Sequence, residues 1–502
     1  MTTTIELATV PSADTPGTCL YVHHDKHSYL FGHVPEGTQR ALNSRKIRFG
    51  GTEHVFLSGP VGWDQMGGLM GYLLSIGAAI ESAEASAADM NDLRREAGRK
   101  LVEKMQHSGV CVHGGDNICH MLAACRPVIM RQAVRVRACE LRADPRAAAP
   151  AADDATLEPD WKDDAIRVWK IPVRKARSSS PPKRPHSSID DADDGGGGGG
   201  GGSGGPAAEA SSPPHRAALS DPDVAAMIIE KCMFNGKLKS GFFLQPRKVG
   251  ELAPAQAALV KENGVLRLYR HGQDSLSPES NVFVFPGPDD KAAEDKRSGS
   301  LPINHHALPP TCYGQTSVSY VVKCHDRRGT FKPDEATRLG VTKRYYRDLI
   351  AGKSVQGADG KTVLPEMVMG APKPGKGFVV ADIPGPDYVD GFMERAEWKN
   401  AGLMENIVSF YWILGPGLSH DARIHAFIKQ HGGARHVFCA QDTCPNMIVH
   451  PGAADLQVRL RQIDPERYPV ARYDNSVRYP QPPPESPIVL GRAGEKMQLM
   501  PR

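Results

Sequence analysis

Apolar and polar positions alternate first: Leu20, Val22, Tyr29 and Phe31 carry the pattern through 19–31, which predicts an early strand pair, and 54–58 predicts another short strand. Met66, Leu69, Met70, Leu73 and Leu74 then recur at three- and four-residue intervals, so a helix is expected over 64–79. A second, more polar helix is expected over 91–106 with Asn91 as its cap. Strand character returns at 109–113, and the stretch up to Glu140 mixes a short helix with a basic strand around 134–136. Further on, 224–234 reads as helix, and 316–324, 377–383, 406–414 and 435–440 read as strands. Ser419 is expected to cap a helix that presents Ile424, Phe427 and Ile428 on one face and ends at Gly432.

Between these two patterned regions the composition breaks. From 142 to 220 the chain runs through Ala-Pro, Ser-Pro and acidic segments into a glycine run that starts at Gly195, which cannot bury enough apolar surface to fold. Strands and helices on both sides of this break argue for one layered α/β domain interrupted by a disordered surface excursion. The excess in Gly (51) and Pro (41) thus marks a linker, not a fibre. No apolar run approaches the roughly 18 residues of a membrane span, so no membrane partner is expected. The ten cysteines are scattered without a dense framework and are expected to be free thiols.

Net charge is only +4, so any case for a nucleic-acid partner must be local. It is strongest over 323–376, where twelve Lys and Arg stand against six Asp and Glu, a surplus of six that leaves the rest of the chain at −2. Phosphate contacts supply most sequence-independent affinity for RNA, and Lys343-Arg344-Tyr345-Tyr346-Arg347 adds aromatic faces to that charge. The alternative reading of the same run is a solvated charged loop.

Two stretches carry a resemblance. Glu36-Gly37-Thr38-Gln39-Arg40 follows an early strand, and Leu57-Ser58 leads into Trp63-Asp64-Gln65-Met66-Gly67-Gly68-Leu69. In this order they resemble tRNase Z, the tRNA 3'-processing endoribonuclease family of the metallo-β-lactamase superfamily. In that family a Gly-Glu-Gly-Thr-Gln-Arg-like loop precedes a His-x-His-x-Asp-His-x-x-Gly-Leu motif. Later segments, 352–355, 359–363 and 370–376, resemble the return from the family's protruding arm into its core. The family's Gly-Pro turn after Leu-Gly-Val is replaced here by Thr342-Lys343-Arg344.

Anchored on Asp64 and Gly68-Leu69, the family's first two histidines fall on Pro60 and Gly62, and its last on Gln65. A hydrolytic zinc pair needs clustered imidazoles and carboxylates to hold the metals and acidify a bound water. One carboxylate and an amide do not replace three imidazoles, so no cofactor and no catalytic residue are expected in this chain. The resemblance is to the N-terminal half of long-form tRNase Z, which lost its zinc motif and kept the arm. It implies an αββα sandwich of metallo-β-lactamase type with a protruding basic arm. The first part of the domain would be 1–141, the disordered insertion 142–220 and the remainder 221–480, with the arm at about 323–376. Residues 481–502, where Gly494 to Leu499 resemble the family's inter-half linker, would lead toward a C-terminal half holding the zinc. The implied partners are precursor tRNA and that catalytic half. RNA-binding candidates are Lys323, Arg327, Arg328, Lys332, Lys343, Arg344, Tyr345, Tyr346, Arg347, Lys353, Lys373 and Lys376. Glu36, Gly37, Thr38, Gln39, Arg40, Asp64, Gly67 and Gly68 are motif residues with a structural part. The competing reading is a free-standing pseudo-enzyme of the same fold that binds RNA or protein.

Other clusters are read more simply. His436, Cys439, Cys444 and His450 have part of a zinc spacing, but 435–440, which holds the first two, is an expected buried strand. Cys111, His113, Cys119, His120 and Cys125 read as buried thiols and hydrogen-bonded imidazoles; His305-His306 is not a ligand pair, and His23, His24 and His27 are expected at the surface of a hairpin. Arg174-Lys175-Ala176-Arg177 with Lys183-Arg184 is either a nuclear import signal or a generic basic linker, and an intracellular location in nucleus, mitochondrion or both is expected.

Overall fold

Nearly continuous apolar strands need cover on both faces, and this chain supplies it by stacking two sheets between two helical layers. The computed structural model describes residues 2–13, 15–25, 27–47, 50–101, 109–147, 157–176, 222–236, 243–253, 256–263, 265–285, 301–302, 315–358, 360–447, 451–469 and 476–500. Strands and helices are numbered here in chain order.

The first sheet holds β1 (Thr3–Thr9), β2 (Cys19–His24), β3 (His27–Gly32), β4 (Thr52–Leu57), β5 (Val110–Gly114), β6 (Val136–Glu140) and β21 (Lys496–Met500), in the order β21-β1-β2-β3-β4-β5-β6. Its β21 to β3 part is antiparallel and its β3 to β6 part parallel. The second sheet holds β7 (Trp161–Lys162), β8 (Ile166–Arg174), β14 (Thr316–Cys324), β17 (Gly377–Ile383), β18 (Ile407–Leu414), β19 (Arg435–Cys439) and β20 (Ile488–Leu490). Its order, β20-β19-β18-β17-β14-β8-β7, repeats the same change from parallel to antiparallel pairing.

Between the sheets, Leu20, Val22, Phe31 and Phe56 meet Val168, Val318, Tyr320 and Phe378. Phe31 stacks on Phe56 at 4.5 Å and meets Phe378 edge-on at 5.5 Å; burying each such ring contributes roughly 1.5–3 kcal/mol. Outside the first sheet lie α1 (Thr38–Ser44), α2 (Trp63–Met66), α3 (Leu69–Glu96), α4 (Ile118–Ala124) and α5 (Pro222–Ile228), which bring Leu42, Leu69, Tyr72, Leu122 and Val224 against Leu30, Val55 and Val112. Outside the second lie α9 (Val389–Met393), α10 (Ala401–Met404) and α11 (Ala422–Gln430), with Phe392, Leu403 and Phe427 on Val379, Phe410 and Trp412. The result is the αββα sandwich that the resemblance implies.

Several expectations change. The span 142–220 is not disordered throughout: 157–176 carry β7 and β8, because Ile166, Val168 and Ile171 alternate toward two apolar layers and β8 pairs with β14 along nine residues. Residues 148–156 and 177–220 lie outside the described residues. Arg174 and Lys175 accordingly end a core strand, Lys175 pairing with Asp387 at 3.5 Å, and do not belong to a free basic segment; Lys183 and Arg184 lie outside the described residues. Residues 488–500 are not a linker but edge strands, β20 beside β19 and β21 beside β1. The helix expected over 64–79 and the start of that expected over 91–106 are one from 69 to 96, since the Ala-rich stretch around Ala83, Ala87 and Ala88 propagates the helix through Asn91; 97–101 are not helical, and 102–106 lie outside the described residues. The segment Trp63–Glu96 is also long and apolar enough to cross a membrane by length and composition, against expectation, although Leu69, Tyr72, Leu73 and Ile76 pack on the first sheet. Asp421, not Ser419, caps α11, accepting from the Arg423 amide at 2.8 Å. Residues 243–302 add an unexpected sheet of β9 (Phe243–Lys248), β10 (Ala258–Glu262), β11 (Val265–Leu268), β12 (Asn281–Val284) and β13 (Leu301–Pro302), ordered β11-β10-β12-β9-β13. The nine described cysteines are free.

Candidate functional site

The loops that follow β3 and β4 interlock at one end of the sandwich. The Val34 amide donates to the Gln65 carbonyl at 2.7 Å, and the Gly68 amide returns to the Val34 carbonyl at 3.0 Å. A Cβ on Gly68 would lie 2.1 Å from the Pro35 carbonyl oxygen, so only glycine fits. Gly37 begins α1 at φ 90, and the Thr38 hydroxyl donates to the same Pro35 carbonyl at 2.7 Å. Glu36 and Arg40 are exposed, Gln39 is half-buried beside Gly71, and Gly67 packs against Trp63. These two motifs therefore form one corner, built from backbone contacts that tolerate few side chains.

At the positions where imidazoles would hold a metal pair stand Pro60, Gly62 and Gln65, and Asp64 is exposed in the first turn of α2. This donor set does not fit two zinc ions. Sequence reasoning missed what lies beneath it. Asp382, at the end of β17, accepts from the Ser58 hydroxyl at 2.5 Å and bonds the His33 ring at 2.7 Å, while its amide donates to Ser319 at 2.9 Å. All four residues are buried. Ser58 and His33 both bond the carboxylate and not each other, so no base is placed to activate the hydroxyl. The arrangement ties β3, β4, β14 and β17 together where the sequence offers only one sign, a lone Asp in an apolar strand.

The arm leaves β14 and returns to β17. Its stalk is two segments joined by isolated bridges at Arg327 to Lys373 and Phe331 to Met369. Its knob contains α6 (Pro333–Arg338), α7 (Tyr346–Ile350), the hairpin of β15 (Val355–Gln356) and β16 (Thr362–Val363), and α8 (Pro365–Val368). A small core of Ala336, Val341, Leu349, Val363 and Val368 holds it together. Around that core Lys332, Lys343, Arg344, Arg347 and Lys353 are exposed, as are Arg328, Lys373 and Lys376 on the stalk; Arg327 is half-buried. Lys323 is different: it is 7% exposed, its ammonium donates to the Gly402 carbonyl at 2.9 Å, and burial pushes its pKa down. It is a strand residue that cannot reach an RNA backbone. The tyrosines are also less free than the sequence suggests. Tyr346 packs at 4.9 Å from Phe331 and bonds Thr337 at 2.8 Å, and Arg344 covers Tyr345 at 4.4 Å.

The remaining candidates separate. His436 uses both ring nitrogens, with Trp412 at 3.0 Å and the His431 carbonyl at 3.1 Å, and burial lowers its pKa to about 4. Cys439 and Cys444 are buried; His450, His305 and His306 lie outside the described residues. His24 is buried against Thr3 at 2.8 Å, and His27 sits between Glu53 and Asp164 at 2.7 and 2.9 Å, so of the hairpin histidines only His23 is the exposed surface group expected. Cys119, His120 and Cys125 lie on or at the end of α4, whereas Cys111 and His113 on β5 gather with His54. Among the described residues the clusters able to hold a metal are His54, Cys111 and His113, and His27, Asp163 and Asp164; neither contains Asp64 or Asp382.

A family profile described as tRNase Z endonuclease matches residues 6–68. Ribonuclease Z of Saccharomyces cerevisiae is 26% identical over 166 residues, which is 32% of this chain and 20% of that protein. Ribonuclease Z 1 of Schizosaccharomyces pombe is 27% identical over 154 residues, 30% of this chain and 19% of that one. The crystal structure of a long form RNase Z from yeast superposes with a TM-score of 0.50 at 16% identity, covering 99% of this chain and 47% of that chain. The matches thus span about a fifth of the curated relatives and about half of the solved chain. The profile lies across the very corner where β3 and β4 hand over to the helices that follow them, so over this stretch the chain is similar to the tRNase Z family, and it shares its sandwich fold with the yeast long form.

Proposed function

We propose that this chain is the non-catalytic, substrate-holding half of a tRNA 3'-processing endoribonuclease, acting in the nucleus or mitochondrion with a zinc-bearing catalytic half. The observation that carries the reading is the contrast between two regions. The pocket after β4 offers Pro60, Gly62 and Gln65 where metal chemistry needs imidazoles, while the arm presents a crown of exposed cations on a self-supporting knob. Positioning alone lowers a barrier when it holds the scissile bond against chemistry supplied elsewhere. The partner half would supply both zinc ions, which acidify a bound water. The residues of this chain would grip phosphates through Arg328, Lys332, Lys343, Arg344, Arg347, Lys353, Lys373 and Lys376.

The test is reconstitution. Given precursor tRNA and zinc or manganese, the chain alone should cut nothing, and adding a separately made catalytic half should yield cleavage at the 3' end. Cleavage by the chain alone, or a catalytic half equally active without it, would sink the proposal.

A further inference from the structure

Where β4, β5 and β6 face β7 and β8, the apolar filling between the sheets gives way to polar donors. His54 alternates with Phe56 along β4, Cys111 with His113 along β5, and His113 stands in register with Cys139 on β6, so all four side chains share the inward face of the sheet. Polar groups on an inner sheet face are the informative exception to apolar packing.

Their geometry is that of ligands. His54 Nδ1 and His113 Nε2 are 3.3 Å apart, the spacing of two nitrogens on one tetrahedral ion at about 2.0–2.1 Å from each. The donor atoms of His54, Cys111 and His113 all lie within 4.8 Å of one another. Cys139 Sγ is 3.2 Å from Cys111 Sγ, whereas two thiolates at about 2.3 Å from zinc stand roughly 3.8 Å apart, and Cys139 stands outside the group of three mutually close donors, so its side chain would have to move to become the fourth. The other nitrogen of His113 faces Lys170 at 3.4 Å, which leaves Nε2 for the cluster.

Protonation states suit the same purpose. Burial holds both imidazoles neutral, most strongly His113, where Lys170 adds to the effect. The Cys111 and Cys139 thiols share one hydrogen bond, which holds Cys139 below and Cys111 above its ordinary value, so a bound ion would have to displace the Cys111 proton. Metal ions bind the neutral imidazole and the thiolate. A cavity of about 550 Å³, lined by His54, Cys111, Arg137 and Trp161 among others, opens beside the donors and gives an ion a way in.

We propose that His54, Cys111, His113 and Cys139 form a zinc site with two nitrogen and two sulfur donors, clipping β4, β5 and β6 together at the open edge of the sandwich. Soft sulfur with imidazole in a tetrahedral arrangement selects zinc over magnesium or calcium. The site lies within the first sheet, near the starts of β4 and β5, and makes no use of Asp64 or of the arm.

The test uses the full chain, reduced and metal-free, titrated with cobalt(II) as a spectroscopic stand-in. One equivalent should produce thiolate-to-cobalt charge transfer with tetrahedral visible bands, and one equivalent of zinc should abolish them. Cys111→Ser and His54→Gln should each weaken binding by at least about tenfold with circular dichroism unchanged, and Asp64→Asn should leave it as it was. Absence of the thiolate band, its survival in both variants, or its loss in Asp64→Asn would overturn the proposal. So would a Cys111 to Cys139 disulfide in place of metal uptake. Should the variants fail to fold, alkylation of the unaltered chain decides: zinc should protect Cys111 and Cys139, and unprotected thiols would refute the site.

Discussion

Replacing Lys343, Arg344 and Arg347 together by alanine strips three exposed cations from the knob and leaves its core of Ala336, Val341, Leu349, Val363 and Val368 in place. The stability cost should be small, since the substitution removes an exposed cation–π pair between Arg344 and Tyr345, about 0.5–1 kcal/mol. RNA binding should respond far more. Each phosphate contact contributes about 0.7–0.9 to the slope of log affinity against log salt. Removing three such cations should therefore flatten the slope by roughly 2–2.7, and between about 50 and 200 mM salt the unaltered chain should lose roughly 20- to 40-fold more affinity than the variant. Fluorescence anisotropy with labelled precursor tRNA across that salt range measures it directly. Lys323→Met is the control: its ammonium is already bonded inside the fold, so the slope should not move. An unchanged slope in the triple variant, or an equal drop in the control, would refute the assignment of phosphate contacts to the knob.

Other outcomes follow from the packing. Gly68→Ala forces a Cβ against the Pro35 carbonyl at 2.1 Å and should cost about 1–3 kcal/mol, read as a lower urea midpoint with unchanged m value; an unshifted midpoint would show that the corner yields. Asp382→Ala leaves the Ser58 hydroxyl and the His33 ring without their shared acceptor and should cost roughly 1–3 kcal/mol for each orphaned group by the same measurement. Glu397, 2% exposed, bonds Arg146 at 2.5 Å and Arg395 at 2.9 Å. Burial pushes its pKa up, but the two guanidinium groups outweigh burial and hold it below the usual value. Its stabilisation is therefore complete above the unfolded value of about 4.3 and disappears as pH falls through the lower folded value. Glu397→Gln should lower Tm at neutral pH and flatten its fall below about pH 4; a parallel offset at every pH would contradict this.

Elements with a strong local pattern were legible without coordinates. The strand at 377–383 is apolar almost throughout and that at 316–324 carries Val318, Tyr320, Val321 and Val322 between small polar residues; both are buried on both faces, and each appears where expected. The Gly67-Gly68 corner was legible as a motif, although its reason, the approach of Pro35, was not. β8 was hidden because its nine residues lie between segments poor in apolar groups, and the surrounding composition outweighed them. β21 was hidden because a five-residue strand has little pattern of its own and becomes one only by pairing with β1 at the other end of the chain.

The amino-acid sequence alone determined which chemistry is missing: Pro60, Gly62 and Gln65 carry no imidazole in any conformation, and a surplus of positive charge over 323–376 follows from counting. Only the tertiary structure decided which charges and donors act together. It withdrew Lys323 into a strand and set Asp382 on His33 and Ser58 across more than 300 positions of chain. It also brought His54 and Cys139 to Cys111 and His113 through parallel strand register. Side-chain type is local, but proximity is set by how sheets pair and stack, and that pairing is specified by contacts spread over the whole fold.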